Sequence, residues 1–249
     1  MKWFDANLWM GLPTVPAFQP AAGANELLAV LRRTGIDRAL VWHVAQRDMF
    51  PGEGNRMLAE EMKDHDSLCG CWTLLPPQTG EVITSDFFQQ MRRSRIVALR
   101  AFPGPHNYLL NRTVFGRFLD EVSERRIPLL LSPGGGAPWP VIYDLLKEYP
   151  ALTCVVCDIG IWSADRFTWP LLETYPGVHL DTSLLALEEG GVEAAVGRFG
   201  AGRFVFGSGF PERYPEAAML QLVHAEIPAP DRERIASRNL EALIDRIAW

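Results

Sequence analysis

The sequence passes eight times from a short apolar run rich in β-branched residues to a longer segment with helical spacing, and few folds accommodate so regular an alternation. Strands are predicted at residues 3–7, 37–44, 68–74, 96–102, 127–132, 152–158, 178–183 and 203–208. Helices are predicted at 25–34, 55–63, 86–93, 112–125, 139–149, 164–175 and 192–199, with a closing helix over RIASRNLEAL at 234–243. Strands that are apolar throughout, such as IPLLLS at 127–132, need cover on both faces, which parallel strands joined by helical crossovers obtain. The expected fold class is therefore α/β, a closed (β/α)8 TIM barrel, with a doubly wound open sheet as the competing topology. At 249 residues the chain suits one such barrel, and no linker, low-complexity tract or run of like charge divides it. Residues 1–249 are thus expected to form a single domain.

Charge and cysteine usage narrow the function classes. The 24 basic and 30 acidic residues are spread along the whole chain, and the net charge of -6 favours solubility over polyanion binding. Nucleic acid is not an expected partner. No apolar run reaches the roughly 18 residues of a membrane span, and MKWFDANLW enters a strand pattern at once, so no membrane contact and a cytoplasmic location are expected. Cys69, Cys71, Cys154 and Cys157 lie in strand-like runs where a thiol packs as a small hydrophobe, and no disulfide framework is expected. Their spacings superficially resemble zinc pairs, yet Cys154 and Cys157 on one strand point to opposite faces.

In a barrel of this type the working groups stand at the C-terminal ends of the strands. In chain order those ends offer Asn7 and Trp9, His43, Arg100 with His106, Ser132, Asp158, Asp181 with Ser183, and Ser208 with Gly209. Asp158 is the candidate general base, because desolvation beside Trp9 and Trp162 would raise its pKa toward the working range. Its alternative roles are to pair with Arg100 or to cap the following helix. The Arg100 guanidinium suits bidentate binding of a substrate carboxylate, or an internal pair with Asp158 or Asp181. His43 and His106 are candidate acid–base groups near neutral pH, or simply hydrogen-bonded side chains. Ser132 precedes PGGG at 133–136, whose backbone N–H groups suit an anion, although no histidine is placed as its base and the glycines also permit a sharp turn. Trp9, Trp139, Trp162, Phe102, Tyr108 and Phe210 fall near the same rim and would either shape an apolar pocket or fill it.

The segments FDANLWMG at 4–11, IPLLLS at 127–132, LKEYPALTCVVCDIG at 146–160, GSGFP at 207–211 and RIASRNLEALI at 234–244 together resemble the amidohydrolase superfamily. The resemblance is to its amidohydrolase-2 branch, which includes decarboxylases and lactonases of small carboxylated substrates. It implies two histidines one residue apart at the end of strand one, single histidines ending strands five and six, and an aspartate after strand eight. Here those positions hold Asn7 and Trp9, Ser132, Asp158, and Gly209. A family zinc site rests on imidazole nitrogens and a carboxylate, which an amide, an indole, a hydroxyl and a glycine do not supply. The metal ligands that the resemblance implies are substituted, and neither a metal nor another cofactor is assigned. Some members of the superfamily work without metal through the strand-eight aspartate, and Gly209 leaves that route without its carboxylate.

Three functions are therefore expected, in this order. The first is a metal-free amidohydrolase-like barrel that has lost the family's hydrolytic chemistry and binds a ligand or partner, or carries a repurposed site. The second is a metal-independent hydrolase or lactonase of a small carboxylated substrate, with Asp158, His43 and His106 as catalytic candidates and Asn7, Trp9, Arg100 and Ser132 as binding candidates. The third is a divalent-metal hydrolase. The enzyme requires Asp158, Arg100 and a histidine to converge on one substrate position, whereas a binding protein requires a pocket without that convergence. Barrels of this family commonly assemble, so the resemblance also implies a homodimer.

Overall fold

The computed structural model describes residues 1–17, 19–159, 165–183 and 190–249. Eight parallel strands follow one another round a single sheet in chain order: β1 (Phe4–Met10), β2 (Arg38–His43), β3 (Leu68–Thr73), β4 (Ile96–Arg100), β5 (Leu129–Leu131), β6 (Cys154–Val156), β7 (Val178–Asp181) and β8 (Phe204–Val205). Each pairs in parallel with the next. The ring closes between β1 and the chain after β8. There the Ala6 N–H donates to Phe206 O at 2.8 Å, Gly209 N–H to Asn7 O at 2.9 Å, and Trp9 N–H to Phe210 O at 3.1 Å. This is the expected TIM barrel, its strands alternating with helices.

Two apolar layers follow from the alternation of side chains along a strand. Trp9, Leu40, Trp42, Cys71, Ala98 and Leu130 belong to an inner cluster, which Phe4, Leu240 and Leu243 join from the first strand's start and the closing helix. Leu8, Met10, Val41, Leu99, Leu129 and Leu131 belong to an outer cluster together with apolar residues of the helices, such as Leu27, Leu58 and Leu145. Cys154 falls in the outer layer and Cys157 in the inner one, and all four thiols are free and buried.

One irregularity determines what reaches the barrel mouth. Between Asp5 and Leu8, β1 advances three residues while β2 advances two, from Ala39 to Val41, so β1 carries a bulge. The extra residue reverses the parity of the strand. Ala6 and Trp9 therefore both join the inner cluster, Leu8 and Met10 face the helices, and Asn7 reaches the mouth. Asp5 fixes this kink, its Oδ1 accepting the Asn7 and Ser208 backbone N–H groups at 3.0 Å each.

The observed elements depart from expectation mainly at their ends. β1 runs to Met10 rather than residue 7, whereas β5, β6 and β8 are shorter than predicted. Beyond Val205 the backbone leaves the regular ladder and bonds instead to β1 and to the Ile235 carbonyl. The helix predicted at 55–63 begins four residues earlier, at Pro51, a residue whose fixed φ and missing N–H suit a first turn. The closing segment is a π-helical turn, Arg234–Arg238, leading into the helix Asn239–Asp245. The helix Pro215–His224 and the short turn Ala45–Asp48 were not anticipated. Trp162 and Ala164 lie outside the described residues.

The turn Ala45–Asp48 is wedged against the helix Pro51–Met62. A Cβ at Gly54 would stand 2.4 Å from the Gln46 backbone nitrogen and 2.7 Å from the Ala45 carbonyl carbon, so only glycine permits the approach. Gln46 ties the turn to β3, donating to Cys71 O at 2.9 Å and to Asn55 Oδ1 at 2.7 Å. Because the obstacle is backbone, Gly54→Ala is expected to cost about 1–3 kcal/mol, read as a lower urea midpoint at unchanged slope. A variant as stable as the wild type would show that the turn moves freely.

Candidate functional site

At the mouth, β1, β4, β6 and β7 bring four polar side chains into one network. The Asn7 amide nitrogen donates to Asp158 Oδ1 at 2.9 Å and to Asp181 Oδ2 at 2.7 Å. The Asn7 amide oxygen accepts from Arg100 Nη1 at 3.0 Å, and Arg100 Nη2 donates to Asp158 Oδ2 at 3.2 Å. Arg100 is only 3% exposed, with its guanidinium carbon 4.9 Å from the centroid of the Trp42 ring. Such an arrangement combines a charge-assisted pair with a cation–π contact in a poorly solvated setting. Asp158 adopts φ 52°, a left-handed conformation that aspartate tolerates better than most residues.

Above the network lies a cavity of about 200 Å³. Asn7, Trp9, Arg100, Ser132 and Asp158, each singled out in the sequence, all line it. Trp9 packs against Trp42 with ring centroids 5.8 Å apart and lines the cavity. Ser132 uses its hydroxyl locally, Oγ accepting the Gly135 N–H at 3.0 Å.

The two histidines lie elsewhere. His43 shares the parity of Ala39 and Val41, so it points out of the barrel, packed beneath Gly11, whose Cβ would meet its ring at 2.6 Å. Its Nδ1 accepts the Ala45 N–H at 3.1 Å. His106 Nε2 lies 3.3 Å from Arg47 O, and its ring borders a separate recess of about 290 Å³. Burial holds both imidazoles below their usual pKa. Neither converges with Asp158 and Arg100, as the catalytic expectation required.

Four cavity residues, Trp42, Arg47, Glu212 and Arg213, were not identified from sequence. Trp42 follows from the parity that turns His43 outward; Arg47 rides on the wedged turn, its Nε donating to Asp48 Oδ1 at 2.7 Å. Arg213 lies four residues after Gly209, and its Nη1 approaches Asp158 Oδ1 at 3.5 Å. The signal for Arg213 was its place in PERY, directly after the GSGFP loop. The lining thus carries three guanidiniums, Arg47, Arg100 and Arg213, against the carboxylates of Asp158 and Glu212. Two lining side chains also have buried donors without a hydrogen-bond partner among the described residues, Trp42 Nε1 and Arg100 Nε.

Within the network, burial pushes the Asp181 carboxyl up to about 7, with the neighbouring Asp158 charge adding to the rise. Burial likewise lifts Asp5 to about 6, against the lowering effect of the N–H groups it accepts. The Arg100 guanidinium, 3.2 Å from Asp158 Oδ2, opposes the rise at Asp181.

The metal centre that the resemblance implies does not fit these residues. The Asn7 amide nitrogen is turned toward both carboxylates as a donor, and the amide oxygen is already bonded to a guanidinium, a group that repels cations. Among the described residues no group of three or more His, Cys, Asp or Glu side chains is arranged to hold a metal ion.

The sequence profile of the amidohydrolase family, in its amidohydrolase-2 form, matches residues 2–246. No curated protein sequence matches the chain. Among solved structures, an uncharacterized TIM-barrel protein from Bordetella bronchiseptica superposes with a TM-score of 0.77 at 16% identity, covering 99% of each chain. A probable 2-pyrone-4,6-dicarboxylic acid hydrolase from Acinetobacter baumannii, with citric acid bound, gives 0.72 at 13% identity over 98% of this chain and 100% of that one. A 2,6-dihydroxybenzoate decarboxylase complexed with 2,6-dihydroxybenzoate gives 0.70 at 16% identity over 98% and 99%. At these identities the likeness to the solved structures is one of fold.

The raised Asp181 pKa has a definite linkage sign. A carboxyl shifted from 3.8 to about 7 in the fold contributes stability that is complete below the lower value and lost as pH rises through the upper one. Asp181→Asn keeps an acceptor for Asn7 and removes the titration. Its stability relative to wild type is expected to rise between about pH 4 and pH 7, measured by urea unfolding across that range. A constant difference would mean that Asp181 does not titrate there.

Proposed function

The chain belongs to the amidohydrolase family, and on that footing we propose that its mouth is a metal-independent binding site for a small carboxylated molecule, with the family's hydrolytic centre replaced by the Asn7–Arg100–Asp158–Asp181 network. The reading rests on the cavity lining, where Arg47, Arg100 and Arg213 set three guanidiniums against the two carboxylates of Asp158 and Glu212. The volume of about 200 Å³ lies below the roughly 300–1,000 Å³ typical of drug-sized ligands, so it favours a small acid. Two structural neighbours are named or solved with small carboxylates, a likeness that agrees with this class.

Binding rather than turnover is the role the geometry favours. Asp158, the sequence candidate for general base, accepts from Asn7 and Arg100 and is approached by Arg213, so its oxygens are occupied by donors. Those donors leave about one of its four lone-pair sites, on Oδ2, to take a substrate proton. Among the described residues no histidine lines the cavity to take its place.

The test is isothermal titration of the purified protein with citrate, succinate and benzoate, each against its uncharged amide, with and without a chelator. Binding of at least one acid, weakened by salt, absent for the amide and indifferent to the chelator, is the expected outcome. No binding of any of the three, or binding abolished by the chelator, would contradict the reading.

A further inference from the structure

We propose that Arg213 is the ligand-responsive anchor of this site: its guanidinium occupies the space beside Gly209 and exchanges its contact with Asp158 for the carboxylate of the incoming ligand. This inference rests on the binding role proposed above. The space is defined by the missing side chain. A Cβ at residue 209 would lie 2.6 Å from Arg213 Nη1, and Gly209 has φ 70°, so both the conformation and the vacant volume depend on glycine. The loop brings the guanidinium there by a backbone turn, Arg213 N–H donating to Gly209 O at 3.2 Å. The position that would carry an acidic side chain in the family resemblance is thus filled from four residues downstream by a basic one.

The three cavity guanidiniums differ in how firmly they are held. Arg100 is 3% exposed, makes bonds of 3.0 and 3.2 Å, and lies over the Trp42 ring. Arg47 is held by Asp48 at 2.7 Å. Arg213 is 31% exposed, and its one side-chain hydrogen bond among the described residues is the 3.5 Å approach to Asp158 Oδ1, an oxygen that already accepts the Asn7 amide at 2.9 Å. Its Nε and Nη2 have no hydrogen-bond partner among the described residues. A guanidinium with a long, shared contact and free donors gains more from an arriving carboxylate than one already engaged, because the fork can make two parallel N–H···O bonds. Asp158 then acts as an internal competitor that holds Arg213 in place until the ligand arrives.

Competition of this kind has a signature that simple structural support lacks. With the acid that binds wild type most tightly among citrate, succinate and benzoate as probe, Arg213→Met is expected to weaken binding by about 10- to 100-fold, and Arg213→Lys to recover only part of the loss. Asp158→Asn is expected to tighten binding, and that gain should shrink in the Asp158→Asn, Arg213→Met double variant. Far-ultraviolet circular dichroism and urea midpoints establish that each variant is folded; if Asp158→Asn does not fold, the Arg213 pair alone decides. A wild-type protein that binds none of the three acids defeats the reading of the whole site. Binding by the wild type with Arg213→Met unaffected, with Arg213→Lys fully equivalent, or with an Asp158→Asn gain that is the same in both backgrounds defeats the Arg213 assignment alone.

Discussion

The amide of Asn7 is the joint on which the barrel mouth depends. A single side chain donates to carboxylates on two strands and accepts from a guanidinium on a third, so it sets the relative positions of Asp158, Asp181 and Arg100. An amide supplies the two donors and the acceptor that this position uses; a hydroxyl would donate only once, a carboxylate would accept alone and an ammonium would donate alone. The arrangement requires Asn7 to face inward next to Ala6, which strict alternation forbids and the bulge in β1 allows. Asp5 in turn clasps the bulge and the chain after β8 through two backbone N–H groups. The kink, the closure of the barrel and the polar network are therefore one construction.

Its cost is the burial of charge. Two carboxylates that are 0% exposed, Asp5 and Asp181, lie at or below the mouth, and burial raises the pKa of both. Buried ionic networks seldom add stability over an apolar core of equal volume, because desolvation offsets most of the attraction. A network kept at the functional end of a barrel fits a role in holding Arg100 and Trp42 in fixed positions beside the cavity better than a role in stability. Its Arg100 guanidinium gives the cavity wall a fixed positive charge that attracts an anion entering from the mouth, while the carboxylates beneath oppose it.

Much of this was legible in the sequence, and the limits have physical causes. Strands buried on both faces are near-continuous apolar runs, so their existence and order could be read from segments such as IPLLLS and LTCVVC, while their ends could not. The five mouth positions Asn7, Trp9, Arg100, Ser132 and Asp158 fall at strand ends, where a TIM barrel gathers its side chains, and all five line the cavity. A strand apolar on both faces gives no parity signal, so which of Trp42 and His43 faces inward emerges only from the registered sheet. Arg47 and Arg213 lie in turns, where periodicity carries no information and the direction of a long side chain depends on the close approaches at Gly54 and Gly209. The helix Pro215–His224 escaped notice because its apolar residues are not confined to one stripe: Leu222 is buried while Leu220 and Val223 are exposed.

The central claim is that a bonded polar network stands where the family resemblance implies a metal centre. Elemental analysis of protein purified without affinity metals or chelators, repeated after incubation with excess zinc and desalting, addresses it most directly. Metal far below one ion per chain in both samples is the expected result, because the Asn7 amide and the Arg100 guanidinium oppose a cation at that position. One tightly retained ion per chain, lost in an Asn7→Leu or Asp158→Asn variant, would contradict the account.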